Sequence, residues 1–182
     1  MRVFVLNTGR CGSVTLARAC ERLTNYTAGH ETRARRVGDD RLDYPDQHIE
    51  VDNRLSWFLG ALDERYGEEP LYVHLRRDPV QVAQSFAKRW ENGNPAGVIT
   101  AFATSLVIHP APWPDAQRME VCRFYVQTVT ANIEAFLADK PNQMTVWLDD
   151  AATWFPAFWD RIGGQGDYDA ALAQFGIQHN AS

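Results

Sequence analysis

The sequence predicts an α/β fold: a three-layer α/β/α arrangement around a central parallel sheet, with a P-loop-like strand-loop-helix unit at its N-terminus. Three observations carry that expectation. Short apolar runs alternate with amphipathic helical stretches. The first run passes through a glycine-bearing turn straight into a helix. The 182 residues, 45% hydrophobic and 12% aromatic, suffice for one full-sized core but not for two of ordinary size. No repeat, linker or low-complexity tract interrupts them, so a single domain over 1–182 is expected.

Residues 2–7 read as a short buried strand bounded by Asn7-Thr8-Gly9. Leu16, Ala19, Cys20 and Leu23 then share one face of a helix. Residues 48–52 suggest the next strand, and a helix burying Leu55, Phe58, Leu59 and Leu62 follows, with Gly67 as its stop signal. Residues 71–76 read as another strand, after which Asp78-Pro79 opens a helix to about Trp90, proline being tolerated in a first turn. That helix packs Val82, Ala83, Phe86 and Trp90 inward.

Between 92 and 113, Gly93, Pro95, Gly97, Pro110 and Pro112 mark loops around a short apolar segment. Pro114 starts a long helix whose buried face carries Cys122, Val126, Val129, Ile133, Phe136 and Leu137. Residues 143–148 form the last strand, and helical pieces continue to about Phe175. In a parallel sheet covered on both faces, ligands sit beyond the carboxyl ends of the strands where strand order reverses. Strand ends are therefore where chemistry is sought.

Charge narrows the function. A net charge of −5 argues against nucleic-acid partners held by bulk positive charge. Apolar runs of only a handful of residues exclude a transmembrane helix, and the N-terminal run is too short for a signal peptide. Three cysteines cannot all pair, which suits a reducing compartment and a cytoplasmic localisation. Asn25-Tyr26-Thr27 and Asn180-Ala181-Ser182 then match glycosylation sequons by chance. Of the 18 basic residues, 16 are arginine. A GC-rich genome produces that bias, and so does selection for bidentate binding of phosphate or sulfate. Position decides between the two.

The first strand end reads Gly9-Arg10-Cys11-Gly12-Ser13-Val14-Thr15. Backbone N–H groups in such a turn, backed by a helix dipole, form an anion cradle to which Arg10 adds a fixed charge. The nucleoside-triphosphate P-loop spacing is absent. Six residues separate Cys11 from Arg18, where a cysteine phosphatase needs five, so Cys11 reads as packing rather than as a nucleophile. Neither His30-Glu31 nor the cysteines show metal-ligand spacing, and no metal is expected. A second basic segment follows the strand at 71–76. Helical spacing puts Gln81, Ser85 and Arg89 on one face, with Arg77 at the strand end beside them; Lys88 reads as a solvated residue.

With both segments in view, the chain resembles the sulfotransferases that use 3′-phosphoadenosine 5′-phosphosulfate (PAPS). Arg10-Cys11-Gly12-Ser13-Val14 is similar to that family's basic-x-G-[ST]-[ST] loop for the 5′-phosphosulfate, with Val14 in place of the second hydroxyl residue. Arg77-Asp78-Pro79 with Ser85 is similar to its R-[DN]-P-x-x-x-x-x-S site for the 3′-phosphate. Arg89 matches a further arginine of the tyrosylprotein branch. The resemblance runs from residue 2 to about residue 90, and the cytosolic branch's C-terminal R-K-G segment has no counterpart.

The resemblance implies PAPS as co-substrate, bound by Gly9 through Thr15 with Arg77, Ser85 and Arg89. It also implies sulfuryl transfer to an acceptor hydroxyl or amine of a small molecule, glycan or peptide. Gly29-His30-Glu31-Thr32-Arg33 resembles the tyrosylprotein branch's G-E-E-T-R segment, which makes Glu31 the expected base and Arg33 an acceptor contact. Among His30, His48, Glu50 and Asp52, Asp52 is the reserve, standing where cytosolic relatives place their histidine. Arg10 is the expected stabiliser of charge on the departing oxygen. Trp90 and Trp113 flank the stretch expected to face the acceptor. A small P-loop kinase or nucleotide hydrolase, or a non-catalytic nucleotide-binding protein of the same fold, are the alternatives.

Overall fold

The computed structural model describes residues 1–108 and 113–177. Pro110, Pro112 and the Asn180 sequon lie outside the described residues. Five parallel strands, β1 (Val3–Leu6), β2 (Thr27–His30), β3 (His48–Val51), β4 (Leu71–Arg76) and β5 (Gln143–Trp147), form one sheet in the order β2-β3-β1-β4-β5. Helices α1 (Ser13–Cys20), α2 (Leu59–Tyr66), α3 (Pro79–Glu91), α4 (Gly97–Ala101), α5 (Asp115–Leu137), α6 (Ala151–Arg161) and α7 (Tyr168–Ala173) complete the expected three layers. Helix α1 packs with α7, and α7 with α6, while α3 packs along α5.

Hydrophobic burial holds the sheet. All four residues of β1 are fully buried, and β1 is paired on both sides, with Val3 opposite Ile49 and Leu71. Phe4 meets the rings of Tyr44, Tyr66 and Tyr72 at centroid distances of 5.3, 5.2 and 6.0 Å. Truncating such a core aromatic to alanine costs roughly 3–5 kcal/mol. The chain runs from β1 outward to β2, returns through β3, then crosses to β4 on the other side. Strand order therefore reverses at β1, and the crevice beyond its carboxyl end is the expected ligand position.

Three departures from the sequence reading have local causes. Strand β2 has no apolar run to announce it; it is an edge strand held by pairing Thr27–His30 against His48–Val51. The stretch 55–62 is not one helical face. The Asp52 side chain accepts from the Arg54 N–H and winds Asn53–Trp57 into a 3-10 turn, so the helical phase resets before α2. Leu55 and Leu62 are buried, but Phe58 is exposed. The stretch after 92 contains α4, with Ile99 buried, and a π-helical turn, Phe102–Leu106, with Phe102 and Ala103 buried. Phe102 lies edge-on to Tyr125 of α5, at 5.5 Å between centroids. Trp90 and Phe136 are only partly buried. Among the described residues, no helix is long and apolar enough to cross a membrane.

Candidate functional site

The turn after β1 is built from buried polar groups. The Asn7 side-chain carbonyl accepts from the Gly9 N–H at 2.8 Å, and its Nδ2 donates to the Val5 carbonyl at 3.1 Å. Tyr125 and Ser56 donate to the Thr8 and Asn7 carbonyls at 3.0 and 3.2 Å. Gly9, Arg10 and Gly12 all have left-handed backbones, with φ of +79°, +58° and +84°. Glycine accepts this at no steric cost, whereas Arg10 adopts it at roughly 1 kcal/mol. Gly12 is also pressed against Leu148, where a Cβ would collide. It caps α1 without any side-chain acceptor, unlike Asp78, which accepts from the Gln81 N–H at the start of α3. The N-cap residue of α1 thus places no carboxylate or hydroxyl against the partial positive charge of the first-turn N–H groups.

Across this turn stands α3. The Arg10 Nε donates to the Ser85 Oγ at 2.9 Å. Arg77 extends one Nη to the Arg10 carbonyl, a long 3.4 Å contact, and the other to the Gln81 Oε1 at 2.9 Å. Its Nε is buried and has no hydrogen-bond partner among the described residues. Burial first, then the charges of Arg89 and Arg77, lower the Arg10 pKa from the usual arginine value. Like charges gathered in a half-buried cleft describe a site complementary to an anion.

That cleft has a volume of about 790 Å³. Of the residues expected to bind the nucleotide, Arg10, Gly12, Ser13, Val14, Thr15, Arg77 and Ser85 line it together. Gly9 and Cys11 lie behind the surface. Gly9 backs onto Asn53 and Phe86, and the fully buried Cys11 thiol donates to the Asn7 side chain at 3.4 Å. Burial pushes the Cys11 pKa up to about 12, which agrees with a packing role and not with a nucleophile. Arg89 directs its Nε to the Asn94 carbonyl at 3.3 Å. Lys88 is exposed, as expected, and also lines the cleft, as do Leu148, Ala151, Ala152, Phe175 and Ile177. Helical spacing alone does not show which side of α3 faces the turn, and the C-terminal contributors follow no sequence pattern.

Glu31 lies outside this lining, at the carboxyl end of β2. It also has a left-handed backbone, with φ of +54°. Its carboxylate forms an ion pair with Arg54, a charge contact without hydrogen-bond alignment. Arg33 faces away, donating to the Asp40 carbonyl at 2.8 Å and covering the Tyr44 ring. Arg54 is thus the partner that sequence reasoning missed; the Asp52-Asn53-Arg54 turn was its only signal.

His30 reaches the anion turn itself, its Nε2 lying 3.0 Å from the Ser13 Oγ. The other candidates are enclosed. Glu50 holds Thr32 and His48, while Asp52 binds Arg41 Nη2 at 2.6 Å and the Arg54 N–H at 2.7 Å, which removes the reserve base from reach of an acceptor. Among the described residues, no three His, Cys, Asp or Glu side chains gather as a metal-binding group. Comparison with protein-family models, with curated proteins and with solved structures gives no match to this chain.

Proposed function

We propose that this protein is a sulfotransferase that moves the sulfuryl group of PAPS to an acceptor hydroxyl or amine. The Arg10–Ser85 contact carries the reading, because it joins the two anion-binding segments into one cleft. A nucleotide with phosphate groups at both its 3′ and 5′ positions needs two such centres on one ligand. The residues fit it: the turn offers helix N–H groups that the N-cap Gly12 cannot cap through a side chain, and Arg77 offers a buried Nε without a partner among the described residues.

PAPS supplies an activated sulfuryl group when bound. Sulfuryl transfer resembles phosphoryl transfer in needing in-line positioning and charge stabilisation, and its smaller transferred charge demands no metal. Ser13 and the first-turn N–H groups hold the sulfuryl oxygens, and Arg10 stabilises charge on the departing oxygen. Arg77 and Ser85 hold the 3′-phosphate, with Arg89 adding its field. Glu31 takes the acceptor proton, and Arg54 orients its carboxylate. The acceptor is a small molecule, glycan or peptide.

A thermal-shift comparison of 3′-phosphoadenosine 5′-phosphate with ADP and ATP, with and without magnesium, tests the reading. Metal-independent stabilisation by the 3′,5′-bisphosphate is expected, followed by transfer of labelled sulfate from PAPS onto a component of cell extracts. Stabilisation by ATP with magnesium alone makes the protein a kinase or nucleotide hydrolase. Bisphosphate binding without transfer to any acceptor makes it a non-catalytic binding protein.

A further inference from the structure

Strand β3 carries Glu50, and Asp52 directly follows its last residue in extended backbone; both carboxylates are fully buried. Two residues apart along extended backbone, they point to the same side of the sheet. Burying a carboxylate is unfavourable unless hydrogen bonds satisfy it, and an apolar residue would serve packing better at either place. Their partners explain them. Glu50 Oε1 accepts from the Thr32 N–H at 2.7 Å, and Oε2 accepts from the Thr32 hydroxyl at 2.5 Å and lies 3.0 Å from His48 Nε2. Asp52 Oδ1 accepts from the Arg54 N–H at 2.7 Å. Each carboxylate therefore fixes one side of the Glu31–Arg54 ion pair.

The Glu31 side needs holding. A glutamate backbone at φ +54° relaxes toward extended or right-handed helical values when released, and its carboxylate swings with it. Gly29 makes the clamp possible, since a Cβ there would collide with the Thr32 methyl group. We infer that Glu50 is a positioning residue, acting through Thr32 to aim the Glu31 carboxylate at the acceptor; this rests on Glu31 serving as the base.

The test uses the full chain as wild type and as Glu50→Gln, Thr32→Val and Thr32→Ser. It measures 3′-phosphoadenosine 5′-phosphate affinity, kcat and acceptor KM, and amide exchange across residues 31–33. Misplacing a catalytic group by about 1 Å costs up to about a hundredfold, so Glu50→Gln and Thr32→Val should lower kcat by about tenfold or more. Bisphosphate affinity and KM should stay within about twofold. Thr32→Ser keeps the hydroxyl and should restore kcat, and amide exchange should quicken in Thr32→Val. Unchanged kcat in both Glu50→Gln and Thr32→Val overturns the inference, as does a kcat loss matched by lost bisphosphate affinity, which a merely structural role produces. A wild-type chain that transfers no sulfuryl group sinks the sulfotransferase reading instead; equal exchange in wild type and Thr32→Val then overturns the clamp separately.

Discussion

Arg10 and Ser85 are 75 positions apart in sequence, yet the guanidinium of one donates to the hydroxyl of the other at 2.9 Å. Because Ser85 accepts in this contact, its own proton remains to be donated, and a phosphate oxygen is the natural acceptor between two arginines. The contact also restrains Arg10, whose left-handed backbone is disfavoured for any residue but glycine. Replacing Ser85 by alanine should weaken 3′-phosphoadenosine 5′-phosphate binding by about tenfold, the worth of one charge-assisted hydrogen bond. Arg10→Ala should lower turnover by about a hundredfold or more through the lost charge on the departing oxygen. Titration calorimetry and steady-state kinetics measure the two effects, and near-normal turnover in Arg10→Ala would refute the role given to that residue.

Glu31→Gln keeps the shape of the side chain but removes its basicity. Turnover should fall by about a hundredfold or more while bisphosphate affinity stays unchanged, because Glu31 lies outside the nucleotide cleft. His30 is the informative control. Its contact with Ser13 places it against the anion turn. If His30→Ala abolishes turnover and Glu31→Gln does not, the base belongs to His30.

Much of this was legible in sequence, and the misses share a cause. Local pattern reveals β1, β3, β4, β5 and the long α5, where apolar periodicity is strong and burial enforces it. The anion turn shows itself through its glycines and hydroxyls. Strand β2 was hidden because edge pairing, not side-chain burial, creates it. The Asp52 turn reset the helical phase after β3, which misplaced Phe58. Arg54 is not announced locally, nor is the place of Lys88 on the cleft wall, because an ion pair and a cleft join residues distant in sequence. No spacing rule reports such meetings.

The three cysteines should be inert in the native protein. All are free and buried, and burial raises the pKa of each thiol, to about 12 for Cys11 and about 11 for Cys122. A disulfide reagent at pH 8 should label none of them at the rate of an ordinary thiol, whose pKa is about 8.5. All three should react once denaturant unfolds the chain. One fast-reacting thiol in the native state would show that its own element opens readily: the anion turn for Cys11, α1 for Cys20 or α5 for Cys122.

Gly12→Ala tests how tightly the anion turn is seated. The new methyl group would meet Leu148, and the backbone stays at φ +84°, so both packing and conformation oppose it. A loss of about 1–3 kcal/mol of stability is expected from such a site, read from denaturant midpoints. Bisphosphate affinity should fall as well, because Gly12 and Leu148 both line the cleft. Unchanged stability would mean that Leu148 yields freely.

His74 should shape the acid side of the stability profile. It lies in β4 between Leu6 and Thr145, is 2% exposed, and its Nδ1 has no hydrogen-bond partner among the described residues. Burial, then the nearby charge of Arg76, lowers its pKa to about 4. An unfolded histidine titrates near 6.5, so between these values the unfolded chain binds a proton that the folded chain refuses. Stability from this residue is complete above about pH 6.5, falls as pH drops, and levels off below about 4. The slope is about 1.4 kcal/mol per pH unit, or roughly 3 kcal/mol across the window. Urea midpoints measured from pH 7 to pH 4 in wild type and His74→Leu separate this term from the carboxylates. The variant should lose that part of the slope; identical slopes would show that a proton reaches His74 without unfolding the sheet.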